Sequence, residues 1–238
     1  MSNVKQKQKV LTSGLGTVEP YAYLTKPDYG NEAKGFGNPR GVYKGNLTLR
    51  NEDPRCQTMI DEIVKCHEDN YAEKVADYEA NPPVVQRGKK PLLPYEGDLP
   101  FFDNGDGTTT FKFSCYASYQ DQKSKETRHI NVVVVDSRGK KLEELPQFIG
   151  GGSKCKFKYK LLPYTFNTAV GASVKLQLDS VMLVELATGG SGGEGDWADE
   201  VEEGGYVAGS TSKPKEGEWS QDDVDGVNTG DDSDDGDF

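Results

Sequence analysis

Four lysines stand at alternate positions in KCKFKYKL, residues 154 to 161: Lys154, Lys156, Lys158 and Lys160, with Cys155, Phe157, Tyr159 and Leu161 between them. Successive side chains of a strand point to opposite faces, so the lysines share one face and the apolar residues the other. The apolar set makes a barrel interior. The lysines make a ladder of ammonium groups at steps of about 7 Å, a spacing suited to the phosphates of an extended polyanion. The alternative, a merely solvated face, is weakened by the repulsion of four like charges. The same alternation from Phe111 to Tyr119 turns Phe111, Phe113, Cys115 and Ala117 inward and Lys112, Ser114 and Tyr116 outward. An outward tyrosine beside a lysine can stack a base while the lysine holds a phosphate. Tyr164 and Phe166, just past Leu161-Leu162-Pro163, offer two more aromatic faces on one side of an extended segment. Each ring alone would more often be core. With the lysine ladder they describe a groove for single-stranded nucleic acid, where each stacked base contributes about 1 to 3 kcal/mol without regard to sequence.

Signals for catalysis are weak. DNGDG, residues 103 to 107, has part of a calcium-loop pattern, but Gly105 stands where Asp or Asn is needed, the glycine comes one place early and the distal Glu is missing. A hairpin turn explains it better. The run from Gly35 to Arg40 lacks the third glycine of a dinucleotide fingerprint, and Gly150 to Lys154 is not a phosphate-cradling loop. Cys66 and His67 are adjacent, and adjacent helix positions point about 100° apart; with His129 as the one other histidine, a zinc site has no support. Asp98, Asp103, Asp106 and Asp136 could hold magnesium in a nuclease, yet no spacing singles them out. The expectation is a protein with no catalytic residue, no metal and no cofactor.

Charge is distributed unevenly along the 238 residues, whose formal net charge is -11. From Gly189 to Phe238 there are 16 acids against 2 bases, and residues 52 to 79 hold 9 acids against 3 bases. What remains before Gly189 has 23 bases and 14 acids, a basic body despite the acidic total. The chain ends DDVDGVNTGDDSDDGDF, so Asp231, Asp232, Asp234, Asp235 and Asp237 precede a terminal aromatic, Phe238. A disordered polyanion resembles a nucleic-acid backbone and can occupy the basic groove, while a terminal ring and carboxylate can anchor in a partner's basic, apolar pocket. The expected consequence is a switch, in which DNA displaces the tail and the freed tail recruits partners.

No run approaches the ~18 apolar residues of a membrane span, and MSNVKQKQKV lacks the apolar centre of a signal peptide, so no membrane association and a cytosolic location are expected. Cys56, Cys66, Cys115 and Cys155 are too scattered for a disulfide framework and read as reduced thiols, mostly buried.

Several elements must hold these residues in place. Residues 1 to 17 read as a flexible basic arm, either lying on an anionic partner or simply solvated. Tyr21 to Leu24 reads as a short strand and residues 26 to 41 as an irregular loop, too rich in Gly, Pro and Asn for regular structure. Val42 to Arg50 alternates as a strand. Asp53-Pro54 then supplies a capping side chain and a first-turn proline, and an apolar stripe from Cys56 through Met59, Ile63 and His67 to Tyr78 predicts a helix over about 54–80, ended by Asn81-Pro82-Pro83. Thr108 to Tyr119, Arg128 to Asp136, Lys154 to Leu161 and Ser173 to Leu186 read as strands, about six in all. The fold class is therefore mainly β, a small Greek-key barrel of the oligonucleotide-binding (OB) type with one long helix. The domain is expected over 18–188, followed by a disordered acidic tail over 189–238.

Longer motifs add a resemblance. EPYAYLTKPDYGNEAKGFGNPRGV from Glu19 to Val42, PYEGDLPFFDNGDGTTTFKF from Pro94 to Phe113, NTAVGASVKLQL from Asn167 to Leu178, VMLVELAT from Val181 to Thr188 and the GDF terminus resemble the single-stranded DNA-binding protein of short-tailed (podovirus) bacteriophage replisomes. The resemblance covers nearly the whole chain. It implies an OB-fold domain with a long helix, a homodimer in the cytoplasm of the infected host, and a C-terminal tail that contacts the phage DNA polymerase and helicase-primase. It also implies roles in DNA replication, recombination, repair and strand annealing. By position, it assigns DNA contact to Arg40 in GNPRG, to Lys158, to Tyr116 after FKF-x-C and to Tyr164. Phe166 stands where the resemblance calls for Trp, and Ser114 where it calls for a basic residue. Two rival readings are a metal-dependent nuclease built on an OB barrel and an acidic chaperone of basic proteins.

Overall fold

Alternation along the strands is what lets one ring of them carry a greasy interior and a charged exterior. In the computed structural model, which describes residues 9–84, 90–121 and 123–187, eleven strands and one α-helix follow in order. They are β1 (Leu11–Thr12), β2 (Gly16–Val18), β3 (Tyr23–Asn31), β4 (Phe36–Arg50), α1 (Pro54–Ala80), β5 (Phe101–Asp103), β6 (Thr108–Tyr116), β7 (Ser118–Gln120), β8 (Thr127–His129), β9 (Val133–Val135), β10 (Lys154–Tyr164) and β11 (Ser173–Glu185). β2, β4, β6, β11 and β10 close a five-membered ring in that order, β10 pairing back to β2. All these pairings are antiparallel except β6 with β11, which is parallel. This is the OB barrel. β1 adds to β10, β3 and β5 flank β4 and β6, β9 extends β11, and β7 with β8 forms a separate hairpin.

The core follows from the alternation. Cys155, Phe157 and Tyr159 of β10 are fully buried, as are Phe111 and Phe113 of β6 and Leu47 and Leu49 of β4. Phe113 sits at the centre, edge-on to Phe157 at 5.1 Å and to Tyr159 at 5.3 Å between ring centroids. Burial pushes the thiol of Cys155 up to about 12 and that of Cys115 to about 11, so both stay protonated and inert at neutral pH. The Tyr159 hydroxyl is buried with no hydrogen-bond partner among the described residues. Desolvating an unpaired hydroxyl costs about 1 to 3 kcal/mol, so Tyr159→Phe is expected to raise the midpoint of chemical denaturation without changing its slope. A lowered midpoint would show that the hydroxyl is satisfied.

α1 begins where Asp53 caps it, its carboxylate accepting from Arg55 N at 2.8 Å, with Pro54 in the first turn. It runs to Ala80 before Asn81-Pro82-Pro83 stops it, and it packs on β10 and β11 through Cys56, Met59, Ile63, His67 and Asn70. Ser173 Oγ donates to the Asp98 carbonyl at 2.7 Å, which leaves His67 Nδ1 to donate to Ser173 Oγ at 3.0 Å. Asn70 Nδ2 donates to the carbonyls of Tyr164 at 2.9 Å and Ser173 at 3.1 Å. One amide thus ties the end of β10 to the start of β11. Beside it, Gly97 and Gly171 allow two backbones to touch, since a Cβ on Gly97 would lie 2.6 Å from the Gly171 carbonyl.

Three readings of the sequence need correction. Residues 26 to 41 form a hairpin rather than an irregular loop, β3 pairing with β4 across two register shifts, and Gly30, Gly35 and Gly41 adopt the positive φ that its irregularities and turn require. Residues 11–17, expected in a loose arm over 1–17, together with Val18 supply β1 and β2. Ser13 is wholly buried, its amide donating to Phe157 O and its hydroxyl oxygen accepting from Phe157 N, both at 2.8 Å. The expected strands Thr108 to Tyr119 and Arg128 to Asp136 each split in two, the first at Ala117, whose amide turns to Gly41 O. Residues 1–8 and 188–238, with the acidic tail, lie outside the described residues.

Candidate nucleic-acid interface

The outer face of β4 and β6 is paired residue by residue, with Val42 opposite Tyr116, Lys44 opposite Ser114 and Asn46 opposite Lys112. Ser114 in turn lies opposite Gln177 of β11, which lies opposite Lys160 of β10. This belt collects cations against aromatic rings. The Arg40 guanidinium carbon lies 3.7 Å from the centroid of the Tyr116 ring, and Lys175 Nζ lies 4.9 Å from the same centroid. Lys44 Nζ is 5.0 Å from the Tyr23 ring and Lys112 Nζ 5.2 Å from that of Phe102. Cation–π attraction orders the long side chains while leaving their charge available.

Arg40 is held from both ends. Its Nε donates to the Ser118 carbonyl at 3.2 Å, and Ser118 Oγ returns a bond to the Arg40 carbonyl at 3.0 Å. Lys175 is half-buried with no carboxylate partner among the described residues. Burial holds its ammonium below the ordinary lysine range, opposed by Cys115 and reinforced by the charge of Arg40. A phosphate placed there would relieve that electrostatic cost. Lys44 is partly neutralised, since Asp28 accepts from it at 2.6 Å and that bond lowers the Asp28 carboxyl below its usual range.

The lysine ladder of β10 points outward as the alternation predicts, but its four ammonium groups are not equivalent. Lys158 is exposed and Lys156 half-buried. Lys154 Nζ donates to Thr17 Oγ1 at 2.6 Å, and Lys160 pairs with Asp179 at 3.1 Å. The bulge between Lys158 and Tyr159 brings Asp179 into that position. Tyr116 is exposed, with the two cations Arg40 and Lys175 against its ring. Tyr164 is exposed at the end of β10, and Phe166 rests edge-on against Tyr95 at 6.4 Å. Lys112 is exposed on β6, beside the Phe102 ring. Asp231, Asp232, Asp234, Asp235, Asp237 and Phe238 lie outside the described residues.

In the 103–107 turn, Asp103 and Asp106 accept bonds from Gly105 N and from Thr108, as a hairpin requires. Among the described residues no three of His, Cys, Asp and Glu gather as metal ligands, and no helix is long and apolar enough to cross a membrane.

Residues 15–186 match the family model of the single-stranded DNA-binding protein of bacteriophage T7. The chain belongs to this family. Two curated relatives carry the name single-stranded DNA-binding protein. That of Enterobacteria phage T3 is 73% identical over 217 residues, spanning 91% of this chain and 93% of its own. That of Escherichia phage T7 is 72% identical over 220 residues, spanning 91% and 94%. The crystal structure of gp2.5, a single-stranded DNA-binding protein encoded by bacteriophage T7, superposes with a TM-score of 0.69 at 68% identity. It covers 85% of this chain and all of that one.

Within this family member, four residues of the belt escaped the sequence reading: Tyr23, Lys44, Phe102 and Lys175. Alternation alone would have turned Lys44 and Lys175 outward, since Tyr43 and Leu176 beside them are core. That each lysine meets a ring on a neighbouring strand has no signal along the chain, because the partners are set by register.

Proposed function

We propose that this member of the family binds single-stranded DNA without regard to sequence, along the outer face of β4, β6, β11 and β10. The observation that carries this reading is the row of cation–aromatic contacts, Lys44 with Tyr23, Arg40 and Lys175 with Tyr116, and Lys112 with Phe102. It occupies the strand face on which OB barrels take oligonucleotides. Arg40, Lys112, Lys154, Lys156, Lys158 and Lys160 contact phosphate. Tyr116, Tyr164 and Phe166 supply the aromatic surface. A coat of this kind holds strands extended, which removes secondary structure and presents bases for annealing during phage replication, recombination and repair in the host cytoplasm. The protein works as a homodimer. Its tail, residues 189–238, competes for the groove, and Phe238 with the neighbouring aspartates engages the DNA polymerase and the helicase-primase.

Salt titration on a short oligonucleotide tests this. The six cations named give a log–log slope of about -4, a loss of roughly 300-fold in affinity between 50 and 200 mM salt. A flat profile would remove the electrostatic basis. Deleting residues 189–238 is expected to tighten binding at low salt, and unchanged affinity would exclude the competition. Removing Phe238 is expected to spare DNA binding and abolish the protein contacts. Labelled single strands incubated with magnesium should stay intact; cleavage would favour the nuclease reading.

A further inference from the structure

Below the belt, the face of β4 and β6 continues into a groove of about 710 Å³ between two aromatic side chains, Tyr21 and Phe102. Tyr21 is 88% exposed, the most open aromatic among the described residues, and its φ is +63°. A bulky residue at positive φ is an outlier. It follows Pro20 in a turn, where glycine or asparagine is the residue that suits the backbone. The turn itself is fixed, since Glu19 N donates to Asn46 O at 2.9 Å and Gly152 N to Val18 O at 2.9 Å. Nothing in the packing of the barrel explains a tyrosine there, because its ring buries almost none of its surface. Strained residues that persist without a packing reason point to a ligand.

The lining says which ligand. Glu19 and Asp106 border the groove and disfavour phosphate. Thr48 and Thr110 form part of the floor and are bonded to each other at 2.6 Å, whereas the Asn46 side chain makes no hydrogen bond among the described residues and can meet a base edge as donor or acceptor. Lys112 stands at the Phe102 end, where a phosphate joined to the occupant would lie.

We infer that Tyr21 and Phe102 are the walls of a nucleobase subsite on single-stranded DNA, with Asn46 on its floor and Lys112 on the adjoining phosphate. This rests on the DNA-binding reading above and extends the strand path beyond the cation belt. A base enters between the rings while the acids keep the backbone to the Lys112 side.

Tyr21→Gly tests it in the full-length protein. Glycine suits the backbone, so the variant is expected to unfold at a higher denaturant midpoint than the parent. Its affinity for an oligothymidine long enough to span the face is expected to fall about 5- to 150-fold, the range for one lost stacked base, with the salt slope unchanged. Tyr21→Phe should bind like the parent, and Lys112→Ala should reduce the slope. Irradiating the parent with an oligonucleotide carrying 5-iododeoxyuridine should crosslink Tyr21 or Phe102, as mapped by mass spectrometry. If the parent binds DNA but Tyr21→Gly binds equally well and no crosslink reaches either ring, the subsite is wrong and the DNA-binding reading stands. If the parent itself fails to bind oligonucleotides, both fall.

Discussion

Phe157→Ala is expected to lower the free energy of unfolding by about 3 to 5 kcal/mol, a large share of the roughly 5 to 15 kcal/mol that holds a domain folded. Three features place this substitution at the upper end. The side chain is fully buried, and its ring meets Phe113 edge-on, a contact worth about 0.5 to 1.5 kcal/mol beyond burial. The wall beside it includes Gly45, where a Cβ would be 3.6 Å from the Phe157 ring, so that position itself has no side chain to fill the void. Urea unfolding followed by tyrosine fluorescence reads the loss as a midpoint shift. A change below about 1 kcal/mol would mean the barrel interior repacks freely.

Asn70→Leu keeps the size of the side chain but removes both donors, leaving the Tyr164 and Ser173 carbonyls unpaired. Each orphaned group costs about 1 to 3 kcal/mol, so a loss of about 2 to 6 kcal/mol is expected. The effect should also reach DNA affinity although Asn70 faces the helix packing, because the amide fixes both ends of the connection that carries Phe166. A stability loss with unchanged affinity would mean that this connection takes no part in binding. Unchanged stability would mean that the two carbonyls find other partners.

What the sequence discloses depends on whether a signal is local. The helix was legible because each of its ends is marked locally, the start by the adjacent Asp53 and Pro54 and the end by Asn81-Pro82-Pro83. The strand at 154–161 was legible because perfect alternation has one interpretation: of its inward set, Cys155, Phe157 and Tyr159 are buried and Leu161 is half-buried. The hairpin from Tyr23 to Arg50 was not, because its glycines break local pattern while serving long-range pairing. At the interface, Arg40 and Tyr116 were named separately. Their stacking needs Val42 and Tyr116 in register, and the capture of Lys160 by Asp179 needs a bulge that no local pattern marks. Register, and through it the partner of each cation, is a property of the closed barrel.

The ring closes only when β11 has joined β6 and β10, and β11 ends at Glu185. At least 53 residues follow it. Chains grow at about 5 to 20 residues per second during synthesis. Even discounting the stretch concealed within the ribosome, making the remainder takes on the order of a second, the range in which β topologies of long sequence separation fold. Synthesis of the residues after β11 therefore sets a delay. It gives the barrel an interval to close while the nascent chain is still tethered, apart from its sister chains.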